Sequence, residues 1–458
     1  MNALDVAGRA GMSAGTRFLL YPQAPYVSGY EKPEVVWIST SPGLIHAGPE
    51  DHRIYVRDPV LDKQPYEYPY LPPFVGAYFP PAEPGFDGHF DQLSLQSRQF
   101  LAAHAFAAAS RVLDIWESYL GKPIIWYFAE TYERLEIIPW IDWENAQSGY
   151  GYLELGRERG ADGHGHPYAL NFDVIAHEIG HSILFSLFGM PMKGLQDGDF
   201  GPFHEANADL ISLLSFLHFD SGMDRLLRHS QANLLVLNEL NRIAELTGDR
   251  QIRLASNSRK MTEVTEEIHD RSRPFTGAVF DTLVDLYHAG LVGQGLADER
   301  LLRFDIRQVG EADMQNISNF TGDAFRARPF LFKTELIKAR DDVALSLARV
   351  DAPRCRSSHI RSRSLHHHRS VRTHPPGDSG KLRRELQMAG NFMKQRIEER
   401  GNECRLSKAH TNLPTERVQC NSGQTLWYFP KRKRIIAPRR GEKHFGGSIR
   451  YSRKIYNG

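Results

Sequence analysis

The segment from Asn171 to Leu187 contains the pattern His-Glu-x-x-His, formed by His177, Glu178 and His181. Residues four positions apart lie on the same face of an α-helix, so both imidazoles can reach one metal ion. Glu178 lies one step around the helix, beside that ion, where a general base for an attacking water is needed. We therefore predict a helix here, with His177 and His181 as metal ligands and Glu178 as a catalytic base.

The composition of this segment favours a helix that is buried on nearly all sides. Apolar residues fill most of the other positions, and Gly189 and Pro191 mark the end of the pattern. Burying two histidines and a glutamate among apolar neighbours is costly unless they have partners. The alternative is a core helix whose polar side chains are satisfied by their neighbours, and a second motif argues against it.

That second motif begins at His204 and places Glu205 and Asp209 four positions apart, again with apolar residues around them. A catalytic zinc site has three protein ligands and an open position for water, and Glu205 completes such a set. Asp209 can then accept the N–H of a ligand histidine and fix its tautomer. Taken alone, the two carboxylates could instead be an acidic pair at a helix N-terminus, which the helix dipole favours.

His-Glu-x-x-His followed by Glu-x-x-x-Asp resembles the gluzincins, the thermolysin-like zinc metallopeptidases. Asn145 and Ala146, followed by 149–156, are similar to the substrate-binding edge strand of that family, and 273–280 is similar to the helix start near its catalytic histidine. The resemblance covers roughly residues 85–345. It implies an α+β fold of two lobes, in which a mixed α/β N-terminal lobe carries the central zinc helix and the C-terminal lobe is helical.

The resemblance also implies one catalytic zinc ion, a peptide or protein substrate, and substrate contacts by Asn145 and Ala146. The expected activity is hydrolysis of peptide bonds, most directly as an endopeptidase. The alternatives are a gluzincin-type aminopeptidase and an inactive protein that keeps the fold for binding. A base such as Glu178 beside a full ligand set has no use in a purely structural site, which favours an enzyme.

The chain departs from the family at the position of its catalytic histidine. Counting back from Gly277 places Arg273 there. Arginine can donate to an oxyanion but cannot act as an acid at neutral pH. We predict that Arg273 replaces the histidine as an electrophile, while an ion pair with Asp270 is the equally weighted alternative and His269 a less favoured substitute. Calcium binding is doubtful, because Asp173 matches a calcium-ligand position but Phe216 stands where its partner is expected.

The pattern of residues divides the chain into four segments. These are a Pro- and Tyr-rich segment of short strands and loops (1–85), a mixed α/β lobe that ends in the zinc helix (86–190), a helical lobe with the third ligand (191–350) and a basic tail (351–458). Helices are predicted over 97–120, 204–218, 231–246, 277–291 and 333–349. Strands are predicted over 122–141 and over 150–155, the latter as a half-exposed edge strand that could bind extended peptide, or else as an ordinary sheet margin.

The tail differs abruptly from the rest of the chain. Residues 351–458 carry 25 Lys and Arg against 8 Asp and Glu, which leaves 31 against 47 for the remainder, or net charges of +17 and −16. All three cysteines also lie in the tail, which shows no apolar periodicity. Three interpretations fit these features: a disordered solvated tail, a nucleic-acid-binding extension that lacks a recognisable module, and a segment outside the natural peptidase reading frame. We favour the last, because charge, cysteine use and periodicity all change at one point, and we expect nucleic acid to be bound nowhere else in the chain.

No apolar run approaches the length of a transmembrane helix, and the N-terminus lacks the continuous apolar core of a signal peptide. The sequence therefore predicts no contact with a membrane. The cytoplasm is the default location, and secretion is not excluded.

Overall fold

The computed structural model describes residues 15–60, 63–159, 165–190, 200–235, 255–303 and 310–351, together with two-residue strands at 242–243, 253–254, 418–419 and 425–426. Within these residues the chain is a mixed α/β protein with seven α-helices and several small sheets. The predicted basic tail lies almost entirely outside the described residues. None of the described helices is long and apolar enough to span a membrane.

The helices are α1 (Arg98–Leu120), α2 (Phe172–Phe188), α3 (Phe200–Phe216), α4 (Asp220–His229), α5 (Ile268–Gly293), α6 (Glu311–Ala327) and α7 (Pro329–Asp351). Four of the five helices predicted by periodicity, and the helix of the His-Glu-x-x-His motif, are confirmed as α1, α3, α5, α7 and α2. The ends of α1 follow the local sequence: the Ser97 hydroxyl accepts a hydrogen bond from the Phe100 N–H, and Gly121 closes the helix in the left-handed conformation at φ 64°.

The helix predicted over 231–246 is wrong. Residues 231–235 form turns, and Arg242–Ile243 is a strand (β9) that pairs with Arg253–Leu254 (β10). Gln231 and Ala232 both have positive φ, 49° and 61°, which no right-handed helix can continue. Ala232 and Leu234 are buried in the core as parts of these turns, and residues 236–241 and 244–246 of the predicted helix lie outside the described residues.

The other strands are β1 (Thr16–Leu20), β2 (Glu34–Ile38), β3 (Ile54–Val56), β4 (Leu135–Ile138), β5 (Ala146–Gly149), β6 (Tyr152–Leu155), β7 (Arg157–Arg159), β8 (Gly165–Pro167), β11 (Val418–Gln419) and β12 (Thr425–Leu426). β1 and β2 form an antiparallel pair, and β3, β4, β6 and β5 form, in that order, a four-stranded sheet. The predicted strand region 122–141 yields β4 alone.

The prediction of a half-exposed edge strand over 150–155 is wrong. β6 lies inside the sheet, parallel to β4 and antiparallel to β5, and its four side chains are buried. The edge strands of this sheet are β3 and β5, and β5 is the one next to β6. The alternation of polar and apolar residues in β6 is real, but its Glu154 side is covered by residues 63–74, which we call the outer strap.

The outer strap is fastened to the sheet by two buried carboxylates. Glu154 pairs with the ammonium of Lys63 and accepts hydrogen bonds from the Tyr66 N–H at 2.9 Å and from the Gln147 amide at 2.6 Å. Glu136 accepts from the Tyr66 hydroxyl at 2.6 Å. The side chains of Lys63 and Glu154 are both fully buried. Burial lowers the pKa of Lys63, and the nearby Glu154 carboxylate opposes that shift.

We expect Lys63→Met to destabilise the protein by about 3–5 kcal/mol, because it leaves the Glu154 charge buried without its cation. Arg300→Met is the control, since it removes a cation from an exposed pair and should cost about 1 kcal/mol or less. The double variant Lys63→Met/Glu154→Gln should regain part of the loss. Denaturant unfolding measures all three, and equal losses in Lys63→Met and Arg300→Met would contradict this role of the pair.

Two histidines in the core make the fold sensitive to acid. Burial lowers the pKa of His104 to about 3 and that of His288 to about 4, from an ordinary value of 6.5. The unfolded chain therefore takes up protons at these sites below pH 6.5, while the folded protein does not. The stability that the neutral rings contribute is complete above pH 6.5 and is lost as the pH falls from there through 4.

We expect His288→Leu to flatten this dependence. As the pH falls from 6 to 5, the free energy of unfolding should decrease less steeply in the variant than in the original protein. The difference between the two slopes should be about 1.4 kcal/mol per pH unit, the effect of one proton. Denaturant unfolding at several pH values measures the slope, with His229→Leu as a control that removes an exposed histidine instead of a buried one. An unchanged slope in His288→Leu would show that this ring is protonated in the folded protein.

Candidate metal centre

The centre is built where α2 crosses α3 at short range. A Cβ placed on Gly180 of α2 would lie 3.1 Å from the Ala208 Cα of α3, which is tighter than ordinary packing, so glycine lets the two helices approach without displacing one another. Asn171 begins α2 by accepting a hydrogen bond from the Val174 N–H at 3.1 Å. The close packing places the polar face of α2 directly opposite Glu205.

His177, His181 and Glu205 come together at this crossing. The Nε2 atoms of the two histidines are 3.1 Å apart. The Oε2 of Glu205 is 3.5 Å from the His177 Nε2, and its Oε1 is 3.5 Å from the His181 Nε2. Among the described residues, this is the group of three potential ligands whose donor atoms all lie within 4.8 Å of one another. All three side chains are buried.

The spacing and the chemical type of these ligands fit a zinc ion. Tetrahedral zinc with bonds of about 2.0–2.1 Å places its ligand atoms about 3.3 Å from one another. The separation of 3.1 Å between the two Nε2 atoms is close to that value, and so are the shortest distances of 3.5 Å from each histidine to Glu205, which involve one carboxylate oxygen each. Two imidazoles and one carboxylate suit zinc or a related transition metal, and they leave one position for another ligand.

Each histidine of the cluster has a partner at its other ring nitrogen. The Nδ1 of His177 is 3.0 Å from the Oδ1 of Asp209. The Nδ1 of His181 is 2.7 Å from the Nδ1 of His204, and the two rings are parallel with centroids 4.8 Å apart. Asp209 was predicted from the sequence as a partner of a ligand. His204 was noted there only as the first residue of its motif, although its position next to Glu205 was a usable signal.

The start of α5 approaches the same cluster through His269. Its Nε2 lies 3.4 Å from the Oε2 of Glu205, and its Nδ1 lies 2.6 Å from the Oε1 of Glu267. The guanidinium of Arg273 instead lies 3.4 Å from the Oδ1 of Asp270. The structure thus places Arg273 in the ion pair that was its alternative, and His269 beside a ligand. The two positions differ by one helical turn, which is why counting along the sequence did not separate them.

Glu178 follows the ligand His177 directly in α2, and the sheet edge packs against the same helix. Glu178 is half-buried, whereas its neighbour His177 is buried. The edge strand β5 packs against α2, where the hydroxyl oxygens of Ser148 and Ser182 are 2.7 Å apart. Ala146 is the first residue of β5, and the carbonyl of Asn145 accepts a hydrogen bond from the Gly156 N–H at 2.9 Å. Both predicted substrate-binding residues therefore lie where the edge strand begins.

Asp173, which matches a calcium-ligand position of the family that the sequence resembles, lies in the first turn of α2. Its carboxylate accepts a hydrogen bond from the side-chain amide of Gln23. The Ser212 hydroxyl donates to the Asp173 carbonyl at 3.0 Å. These contacts give the buried carboxylate a role in joining the N-terminal segment, α2 and α3.

Comparisons with known proteins find no match by sequence, and the likeness to solved structures is remote. No protein-family model matches the chain, and no curated protein matches its sequence. Among solved structures, the precursor of protealysin, a metalloproteinase from Serratia proteamaculans, aligns with a TM-score of 0.30 and 12% sequence identity. The match covers 64% of this chain and 87% of that one. A likeness at this level does not assign the chain to a family.

Proposed function

We propose that this protein is a zinc-dependent peptidase, most directly an endopeptidase. The observation that carries the proposal is the buried cluster of His177, His181 and Glu205, with the half-buried Glu178 next to it in the sequence. A structural metal site is closed by protein ligands, whereas this set holds three donors and Glu178 directly follows one of them in the sequence. The exposed fraction of Glu178 suits a group that must meet water and substrate.

Each residue of the site has a distinct role in the proposed hydrolysis. His177, His181 and Glu205 would hold the ion, which when bound supplies Lewis acidity toward a water molecule and the scissile carbonyl. Glu178 accepts a proton from the water molecule while the water oxygen attacks the carbonyl carbon. The same carboxyl then gives that proton to the amine nitrogen as the C–N bond breaks. Asp209 keeps His177 in the tautomer that leaves its Nε2 free for the ion.

The sheet edge supports an extended peptide as the substrate. β5 is an end strand of the four-stranded sheet and packs against the helix that carries both histidines. The main chain of such a strand can pair with an added peptide strand. Asn145 and Ala146, at its start, are the proposed contacts. Binding along an edge needs no free terminus on the peptide, which favours cleavage within a chain over removal of single residues.

A second donor is needed for the negative charge that develops on the carbonyl oxygen. We assign this role to His269 in place of Arg273. Its Nε2 is 3.4 Å from Glu205, at the border of the cluster, whereas Arg273 is occupied by Asp270. An imidazole can also donate a proton, which an arginine cannot do at neutral pH.

Glu178→Gln should abolish peptide hydrolysis without loss of zinc, because the amide cannot take up the proton of the attacking water. The expected fall in kcat is at least about 10²-fold. Fragment release from casein by the zinc-loaded protein measures it, with the exposed Glu299→Gln as a control that retains full activity. An undiminished rate in Glu178→Gln would remove Glu178 from the mechanism. Products limited to single amino acids would identify an aminopeptidase instead.

His269→Ala should lower kcat by about 10²–10³-fold, as expected for loss of a donor to the oxyanion. Arg273→Ala removes only a half-exposed ion pair, so its kcat should stay within about threefold and its stability within about 1 kcal/mol. Steady-state kinetics on one peptide substrate compares the two variants directly. The opposite ranking would return the electrophile to Arg273.

A further inference from the structure

His204 is the buried histidine of α3 that contacts a predicted ligand without belonging to the ligand set. Its side chain is 3% exposed. Its ring lies parallel to that of His181 at 4.8 Å between centroids and 3° between planes. The two Nδ1 atoms are 2.7 Å apart, which is hydrogen-bond distance.

Two ring nitrogens at this distance share one proton, so one ring donates and the other accepts. The Nε2 of His181 faces the cluster, 3.1 Å from the Nε2 of His177 and 3.5 Å from Glu205. A nitrogen that binds a metal must carry a lone pair, so a neutral His181 holds its proton on Nδ1. His181 is therefore the donor, His204 accepts at Nδ1, and the proton of His204 lies on its Nε2.

The environment of His204 is consistent with a ring held for this one contact. Its Nε2 is buried and makes no hydrogen bond with the described residues. Phe185 and Phe200 flank the ring, with centroids at 4.2 Å and 5.4 Å. A buried N–H without a partner costs roughly 1–3 kcal/mol, so packing alone gives no reason for histidine at this position.

We propose that His204 is a positioning residue, which fixes the proton of His181 on Nδ1 and thereby directs its Nε2 to the metal. The inference rests on the metal site of the proposed function. The two ligand histidines are then oriented differently, His177 by the charged Asp209 and His181 by a neutral ring. With a divalent ion, Glu205 and Asp209 together balance the charge, and a third carboxylate at position 204 would leave a buried excess of negative charge.

Zinc affinity of the whole chain tests the proposal without any activity assay. Apo protein is titrated with zinc in competition with a fluorescent chelator. His204→Leu, which removes the acceptor, should weaken binding by about 10–100-fold, the usual effect of losing such a partner. His204→Asn keeps a neutral acceptor at the δ position and should bind within about threefold of the original protein. His288→Leu is the matched control, because that ring is equally buried but lies outside the cluster.

A spectroscopic readout separates positioning from packing. In the zinc-loaded protein labelled with ¹⁵N at histidine, the Nδ1 of His181 should carry the proton, with its coupling to the His204 Nδ1 absent in His204→Asn. Equal zinc affinity in His204→Leu and the original protein would overturn the proposal while leaving the metal site intact. Absence of zinc binding by the original protein would overturn both. If His204→Leu does not fold, His204→Asn decides, and a tenfold or greater loss of affinity there would contradict the proposal.

Discussion

The close crossing of α2 and α3 is the contact on which the rest of the centre depends. Gly180 lets Ala208 approach, and this brings two imidazoles and a carboxylate to within hydrogen-bond distances of one another inside an apolar core. Leaving such groups buried without an ion or a proton to share is costly. The partners at the outer nitrogens, Asp209 and His204, reduce that cost and fix the direction in which each ring points. The same pair of helices therefore provides both the close packing and the arrangement of the three side chains.

The four-stranded sheet has contacts on both faces that hold β5 beside this centre. One face of β5 packs on α2, and the other side of the sheet is covered by the outer strap through the Lys63 and Glu154 pair. Gln147 of β5 takes part in that network, since its amide donates to Glu154. The edge strand β5 is thus held from both sides, which fixes the position of its main chain, as the proposed pairing with a peptide requires.

Local patterns in the sequence predicted the parts of this structure that depend on nearby residues. The spacing of His177 and His181 and the apolar periodicity over 97–120 both reflect contacts within one or two helical turns. Predictions were wrong where a distant residue decides the outcome. The strand 150–155 looked half-exposed because Lys63, the partner of its Glu154, is far away in the chain. The segment 231–246 looked helical because periodicity does not reveal the positive φ at Gln231 and Ala232. Arg273 and His269, one turn apart, could be told apart only by their contacts with Asp270 and Glu205.

The most direct test of the central claim is X-ray absorption spectroscopy at the zinc edge of the zinc-loaded protein. A His177, His181 and Glu205 site predicts two imidazoles and oxygen donors in a first shell at about 2.0–2.1 Å, with no sulfur. Three or more imidazoles would make His204 or His269 a ligand, and a sulfur shell at about 2.3 Å would place the ion at cysteines of the tail. Either result would contradict the ligand set on which this account of the protein rests.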